Sequence, residues 1–332
     1  MRELNIAVVG ATGMVGRTFL KVLTEKDNIK IKNLYFYASS KSAGLSVECK
    51  NKEYKVIELN EENIKNKKID YALFSAGGKI SLEYAPIFKK YGAIVIDNSS
   101  AFRMEKDVPL VVPQVNKKAC FKHNGIIANP NCSTIQCMLP LKALNDKFKL
   151  KKVDYVTFQA VSGSGMKGKL DLERTSKGLS PEFYPYPIYN NCLPHIDTFL
   201  ENGYTKEEMK MVNETRKILE LPKLKVTATC VRVPVENSHS IEIHAQLKKN
   251  FKMEDVYSCL NNFENIKVVD DPKNNLYPIC TMATGNDYVY VGRIRRDLFN
   301  KKAIHIFCVA DNIRKGAASN AIEILELLER GL

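Results

Sequence analysis

The stretch Leu4-Asn5-Ile6-Ala7-Val8-Val9-Gly10-Ala11-Thr12-Gly13-Met14-Val15-Gly16 decides the fold of the chain's first half. Its opening apolar run reads as a buried β-strand, and the closely spaced glycines that follow read as a sharp turn into a helix. Val15, Phe19, Leu20 and Leu23 then fall on one stripe, so residues 15–23 are expected to form a crossover helix. Working outward, short apolar runs recur at residues 34–37, 71–74, 93–97 and 125–128, with amphipathic segments between them. Strands alternating with helices predict a parallel sheet.

A glycine turn between strand and helix lets the backbone approach a pyrophosphate, which the free N–H groups of the helix start then hold. The spacing here is G-x-x-G-x-x-G rather than G-x-G-x-x-G. Gly10, Ala11, Thr12, Gly13, Met14 and Val15 are expected to line a dinucleotide site, the alternative being a structural turn without a ligand. NAD-binding chains place a carboxylate at the end of the second strand to meet the ribose 2′-hydroxyl. This chain instead offers Ala38-Ser39-Ser40-Lys41-Ser42-Ala43-Gly44. Hydroxyls and a lysine suit a 2′-phosphate, so NADP(H) is the expected cofactor, with Ser39, Lys41 and Ser42 around that phosphate; read without a ligand, the segment is an ordinary polar loop.

The net charge of +13 invites a nucleic-acid reading, but the lysines are scattered along the whole chain without a basic block. No nucleic-acid partner is expected, and the charge is read as solvated surface with some focusing of an anionic substrate. Nine cysteines without close-spaced pairs imply neither a disulfide framework nor a zinc site, and no metal is expected. No apolar run approaches the roughly 20 residues of a membrane span, so a cytoplasmic protein without a membrane partner is the expectation. Beyond about residue 150, β-type runs at 153–160, 225–235 and 240–247 alternate with helical segments at 205–219 and 253–261. This texture predicts a second, α+β domain with a mixed or antiparallel sheet. A last helix, 315–330, is expected to return and pack on the first domain.

Residues 125–128 lead into Asn129-Pro130-Asn131-Cys132-Ser133-Thr134, followed by a helical pattern with Ile135, Met138, Leu139 and Leu141 and with Pro140 as an expected kink. A cysteine at a helix start has its thiolate favoured by the dipole and by free N–H groups, which also suit an oxyanion. The remaining cysteines, Cys49, Cys120, Cys137, Cys192, Cys230, Cys259, Cys280 and Cys308, are read as small buried hydrophobes. Position alone leaves Cys132 open between nucleophile and packing residue. Among the histidines, His239 opens an alternating strand and shares a face with Ile241, Ile243, Ala245 and Leu247. A core histidine is the plain reading; Arg232, just beyond a proline-containing turn, raises the functional one. His123, His195, His244 and His305 lack such a setting.

Together these residues resemble the aspartate-semialdehyde dehydrogenase family over essentially the whole chain. The matching stretches are G-A-T-G-x-V-G at Gly10, A-S-S-K-S-A-G at Ala38, F-S-A-G-G at Phe74, D-N-S-S-A-F-R at Asp97, N-P-N-C-S-T-I-Q at Asn129, Q-A-V-S-G-S-G at Gln159, E-E-M-K at Glu207, V-R-V-P-V-E-N-S-H-S at Val231 and D-N-I-R-K-G-A-A at Asp311. The resemblance implies an α/β chain: a Rossmann-type parallel-sheet domain, residues 1–131 and 313–332, binds NADP, and an α+β domain, residues 132–312, is catalytic and dimerising. It implies Cys132 as the acyl-enzyme residue, Gln159 as its orienter and His239 as acid/base. Arg232 matches the arginine on the substrate α-carboxylate and Glu207 its partner to the α-amine. Arg103 and Lys210 match the phosphate-site cations, and Asn131 joins the substrate site. Ser75, Ala76, Gly77, Ser162, Gly163, Gly165 and Asn312 complete the cofactor set.

The implied reaction is NADPH-dependent reduction of L-4-aspartyl phosphate to L-aspartate 4-semialdehyde with release of inorganic phosphate. It serves the biosynthesis of lysine and diaminopimelate, threonine and methionine, by a homodimer or homotetramer. Lys41 replaces the arginine of many relatives, His195 stands where glutamine is frequent, and residues 179–191 match the family poorly. The rival readings are N-acetyl-glutamyl-phosphate reductase, which the Glu207 and Arg232 pair disfavours, and a non-enzymatic NADPH-binding redox sensor.

Overall fold

The opening apolar run forms strand β1 (Leu4–Val9), buried along nearly its whole length. At its end the chain turns through Gly10, whose φ of +84° suits glycine and whose N–H donates to the Tyr37 carbonyl. A Cβ at Gly10 would stand 2.8 Å from the Ser75 carbonyl oxygen, and one at Gly16 only 2.2 Å from that of Gly10. The turn is therefore folded back on itself too tightly for any side chain. Helix Met14–Thr24 follows and buries Phe19, Leu20, Val22 and Leu23, while Val15 packs only partly at its first turn.

This is the computed structural model of the chain, and it describes residues 2–49 and 52–331. It comprises two compact units, one running to Pro130 and resuming at Ala317, the other spanning Asn131–Gly316. In the first unit, β2 (Ile31–Ala38), the hairpin strands β3 (Ser46–Cys49) and β4 (Lys52–Lys55), and β5 (Ile57–Glu58) come next. They are followed by β6 (Tyr71–Phe74), β7 (Ile94–Asp97) and β8 (Ile126–Ala128). The main sheet has the order β5-β2-β1-β6-β7-β8 with every pair parallel. Its order reverses between β1 and β6, and both of those strands run into glycine turns, at Gly10 and at Gly77 (φ +89°). In doubly wound sheets that reversal is where ligands bind, beyond the carboxyl ends of the strands.

Helix Ser319–Arg330 belongs to this unit, inserting Ala321, Ile322, Ile324 and Leu325 into the core that holds Phe19, Leu23 and Ile96. Tyr71 Oη donates to Glu329 at 2.7 Å and Asn28 to Glu326 at 2.6 Å, fastening its outer face. The helix is preceded by a π-helical turn, Arg314–Ala318, so its α-helical part begins later than the pattern from residue 315 suggests.

The second unit is built on β9 (Leu150–Gln159), β10 (Lys225–Arg232), β11 (His239–Leu247), β12 (Ile266–Val268), β13 (Val289–Arg296) and β14 (Ala303–Ala310). Their order is β10-β9-β11-β14-β13-β12. The β9/β10 and β12/β13 pairs are parallel and the others antiparallel, which makes a mixed sheet. Strand β10 stops at Arg232 instead of continuing to 235, because Pro234 lacks a donor for the ladder. Helix Cys132–Phe148 is continuous through Pro140, and helix Lys206–Ile218 opens on a capping box between Thr205 and Glu208. Residues 179–191 form neither helix nor strand; Asp171 accepts from the Glu182 and Tyr184 N–H groups, and Ile188 is buried.

Among the described residues no cysteine forms a disulfide. The buried-hydrophobe reading needs correcting at Cys192, which is exposed on an irregular segment, and at Cys259 and Cys280, which are partly buried. Among the described residues no helix is long and apolar enough to cross a membrane.

Candidate active site

Strand register explains how residues remote in sequence converge. Parallel β9 and β10 set Gln159 beside Arg232 at their carboxyl ends, and antiparallel β11 starts at that same end of the sheet with His239. Arg232 is fixed further by Leu193, whose backbone exchanges both hydrogen bonds with it. Cys132 is the first residue of its helix. The preceding Asn131 caps that helix, its side-chain oxygen accepting from the N–H groups of Ser133 (2.9 Å) and Thr134 (3.3 Å).

Cys132 Sγ lies 3.3 Å from His239 Nε2. The other ring nitrogen, Nδ1, accepts the Ala160 backbone N–H at 3.0 Å, so in the neutral ring the proton resides on Nε2 and points at the sulfur. Gln136 Nε2 holds the His239 carbonyl at 3.0 Å, and Ser238, at φ +72°, is pinned through its N–H to Asn312 Oδ1. Burial pushes the imidazole well below its usual pKa of 6.5, and the neighbouring Arg232 cation pushes the same way. A neutral imidazole that donates through Nε2 stabilises a thiolate without itself carrying charge.

Above pH 6.5 His239 is neutral whether the chain is folded or not; below it, the unfolded chain takes up a proton that the folded one refuses. Stability from this group is therefore lost as the pH falls below 6.5. Nitrogen NMR of the folded protein is expected to show His239 neutral at pH values where an exposed imidazole is charged; titration at the ordinary value would contradict the geometry.

Arg232 is buried, gives Nη1 to the Ala160 carbonyl at 2.6 Å, and leaves its Nε without a partner. No carboxylate pairs with it in the described ion pairs of this unit. Both it and His239 crowd Gly163, where a Cβ would meet Arg232 Nη1 at 2.9 Å and His239 Nε2 at 3.2 Å. A buried guanidinium with spare donors and no counter-ion is poised for an anion. Glu207, also buried, accepts from Asn131 Nδ2 (2.9 Å) and Gln159 Nε2 (3.2 Å), and pairs with Lys210 (3.1 Å). Burial alone would raise its carboxyl, but Lys210 and these hydrogen bonds outweigh it and hold the group below its usual range. Lys210 is already shared with Asp197 at 2.7 Å. Gln159 thus reaches the cysteine through Glu207 and Asn131; its own amide is spent on Glu207 and Thr157.

Arg103 belongs to the first unit, buried, and donates to the carbonyls of Asn129 and Asn98. The cofactor-candidate segments of that unit also assemble there: the Gly10 turn abuts the loop Ser75-Ala76-Gly77, Ala11 is buried, and Lys41 lies exposed in the 3₁₀ turn Ser40–Ser42 after β2. Helix Met14–Thr24 has no side-chain cap on its first N–H groups. A tight glycine cradle with free N–H groups at the sheet's switch point fits a dinucleotide pyrophosphate. In the second unit Ser162 and Asn312 join side chains at 3.1 Å, and Gly165 takes φ +73°.

Three residues escaped the sequence reading. Glu214 accepts the Asn131 N–H at 2.7 Å and so holds the turn before Cys132; its signal was the spacing of two helical turns from Glu207. Gln136 closes the Asn129 motif and anchors His239. Gly316 backs the cysteine, since a Cβ there would fall 2.9 Å from Cys132 Cβ. We expect Gly316→Ala to lower kcat by roughly 10²-fold, the usual cost of displacing a reacting group by about an ångström. Steady-state kinetics alongside a melting curve would check it; an unchanged kcat would deny Gly316 that place.

A family model described as "Semialdehyde dehydrogenase, NAD binding domain" matches residues 5–123, and one described as "Semialdehyde dehydrogenase, dimerisation domain" matches 141–315. The aspartate-semialdehyde dehydrogenase of Aquifex aeolicus is 52% identical over 98% of this chain and 97% of its own. A crystal structure of aspartate semialdehyde dehydrogenase II from Vibrio cholerae complexed with ASA is 39% identical, with a TM-score of 0.93 and 99% of each chain covered. The Candida albicans enzyme, solved with NADP, is 27% identical with a TM-score of 0.79 over 99% of each chain.

Proposed function

Because this chain belongs to the aspartate-semialdehyde dehydrogenase family, we propose that it reduces L-4-aspartyl phosphate to L-aspartate 4-semialdehyde with NADPH, through a thioester on Cys132. Its activity is that of the family, its place is in amino-acid biosynthesis, and its cofactor is a nicotinamide dinucleotide. We infer the acyl-phosphate route, the NADP preference and the residue roles as well. The observation that carries them is the 3.3 Å contact between Cys132 Sγ and a His239 Nε2 that holds the proton.

In this mechanism Arg232 binds the substrate α-carboxylate in its guanidinium fork and Glu207 meets the α-ammonium. Arg103 is assigned to the phosphate, with Lys210 second because Asp197 and Glu207 already offset its charge. The Cys132 thiolate attacks the acyl carbon, and the bond from that carbon to the phosphate oxygen breaks, leaving a thioester and inorganic phosphate. The nicotinamide cofactor, when bound, supplies the hydride that converts the acyl carbon into the aldehyde carbon. Cys132 leaves as a thiolate, and the Nε2–H of His239 steadies the sulfur both as it attacks and as it departs, a donor's part narrower than the acid/base role that the resemblance implies, because the Ala160 N–H occupies Nδ1. Asn131, Gln159 and Glu214 hold the cysteine turn in place.

For the cofactor, residues Gly10 to Val15 and Ser75 to Gly77 are assigned to the dinucleotide, and Ser39, Lys41 and Ser42 to the 2′-phosphate. The missing carboxylate at the end of β2 supports NADP over NAD. Ser162, Gly163, Gly165 and Asn312 keep the cofactor role that the resemblance gives them. We assign the chain to the cytoplasm and to a homodimer or a dimer of dimers. The dimerisation-domain match supports self-association, as do exposed apolar side chains such as Leu170, Phe183, Tyr186 and Phe199.

The test is NADP reduction by L-aspartate semialdehyde, followed with and without inorganic phosphate and repeated with NAD. The expected outcome is phosphate-dependent reduction that is faster with NADP. A rate indifferent to phosphate would remove the acyl-phosphate step. Preference for the N-acetyl-glutamate semialdehyde would reassign the substrate.

A further inference from the structure

The second unit carries another constellation of titratable groups, on the opposite face of its sheet from His239. Along β11 the side chains of His239, Ile241 and Ile243 are buried, while Glu242 and His244 lie on the other, partly exposed face. His244 pairs across the ladder with His305 of β14, and their rings stack at 4.5 Å. Asp297, in the turn after β13, reaches both rings through one oxygen: Oδ2 is 3.1 Å from His305 Nε2 and 3.5 Å from His244 Nε2. Its other oxygen accepts from the N–H groups of Phe299 and Asn300, which fix the carboxylate in place.

The opposite ring nitrogens have carboxylates of their own. His305 Nδ1 is 2.7 Å from Glu242 Oε1, and His244 Nδ1 is 3.3 Å from Asp154 Oδ2, whose second oxygen pairs with Lys152. A carboxylate accepts only, so each Nδ1 carries a proton toward its partner. In the neutral rings both Nε2 lone pairs then face the Asp297 oxygen. In that tautomer three acceptors converge; His305 Nε2 stands at hydrogen-bond distance, 3.1 Å, from Asp297 Oδ2, and His244 Nε2 is buried without a hydrogen-bond partner. Such an arrangement suits a cation. Carboxylates on Nδ1 with Nε2 turned inward are also how metal-binding histidines are oriented and made more basic.

We propose that His244, His305 and Asp297 form a binding site for a divalent first-row transition-metal ion of the zinc type, with Asp154 and Glu242 as the groups that orient the two histidines. Their ligand atoms already lie within 4.8 Å of one another. Two imidazoles and one carboxylate suit zinc, cobalt or nickel better than the all-oxygen surroundings calcium and magnesium prefer. A bound ion would tie β11, β14 and the Asp297 turn together. This inference does not depend on the reaction proposed above, since none of its residues belongs to that site.

The experiment titrates Co²⁺ into full-length protein freed of metal by chelation, reading the visible absorption of the ion, and repeats it with Zn²⁺ by calorimetry and thermal melting. One ion per chain is expected, with ligand-field bands, no thiolate-to-metal charge-transfer band, and a melting temperature that rises with Zn²⁺. His305→Ala should abolish binding. Asp154→Asn and Glu242→Gln, which preserve shape and keep the inquiry open if the alanine variant misfolds, should weaken it about 10- to 100-fold. Absence of binding would overturn the proposal. A charge-transfer band assigning the ion to a cysteine, or affinity unchanged in Asp154→Asn and Glu242→Gln, would overturn it equally.

Discussion

Replacing Cys132 by serine is expected to lower turnover by at least about 10⁴-fold, nearly as much as replacing it by alanine. Serine is almost isosteric, and in enzymes that pair a hydroxyl with a basic imidazole it works as a nucleophile. Here it cannot be activated that way. His239 Nδ1 is occupied by the Ala160 N–H, so Nε2 already bears the ring proton, and burial with Arg232 alongside opposes adding a second charge. Such an imidazole donates to a thiolate but accepts nothing from a hydroxyl. A helix start favours the thiolate form of a cysteine in general, so a sulfur there calls for a donor and not for a base. Steady-state NADP reduction by both variants, with melting curves to establish folding, checks this. A serine variant within tenfold of the parent would mean that His239 acts as a base, and the tautomer read from Ala160 would be wrong.

Arg232→Ala is expected to lower kcat/KM for the semialdehyde by roughly 10²- to 10³-fold, the scale on which losing one member of a buried charge pair is felt. The reason is the state of the guanidinium: buried, backed by one carbonyl, with its Nε unpartnered and in none of the ion pairs of the described residues. Most of the loss should appear in KM for the semialdehyde, with KM for NADP unchanged, because the group is assigned to the substrate and not to the cofactor. Arg232→Lys should recover only part, since an ammonium restores charge without the two parallel donors. Full activity in the lysine variant would argue for a general electrostatic role in place of a carboxylate fork.

The first half of the fold was legible because its signals are local. An apolar run, a glycine turn and a helical stripe lie within two dozen residues, and the close approaches at Gly10 and Gly16 are the physical reason that those glycines stand there. The second sheet was read only in part. Strand β14 alternates buried residues with His305 and Phe307 on a half-open face, and β13 is broken by a register shift after Gly292, with Arg293 at φ +51°. Neither gives a clean period. The short hairpin β3/β4 is mostly polar and exposed, so its sequence looks like loop.

The site divides along the same line. Cys132 at a helix start could be placed from its own neighbours, but its partner is 107 residues away, and only the resemblance joined them. The strand register gives the reason: β9, β10 and β11 place Gln159, Arg232 and His239, the residues proposed for the site, at one end of the sheet. Glu214 and Gly316 were missed because each acts on the backbone or packing of the cysteine turn, for which no residue type is diagnostic. His244 and His305 were set aside for a related reason. Each is an ordinary outward strand residue until the ladder pairs them and the Asp297 turn closes over both.

The central assertion is that one sulfur carries the acyl group. It is tested by incubating the protein with L-aspartate semialdehyde and NADP in the absence of phosphate, quenching in acid, and mapping the peptides by mass spectrometry. An aspartyl adduct on the peptide containing Cys132, discharged when phosphate is added before the quench, is the predicted result. An adduct confined to another cysteine such as the exposed Cys192, or NADPH formed with every cysteine unmodified, would contradict it.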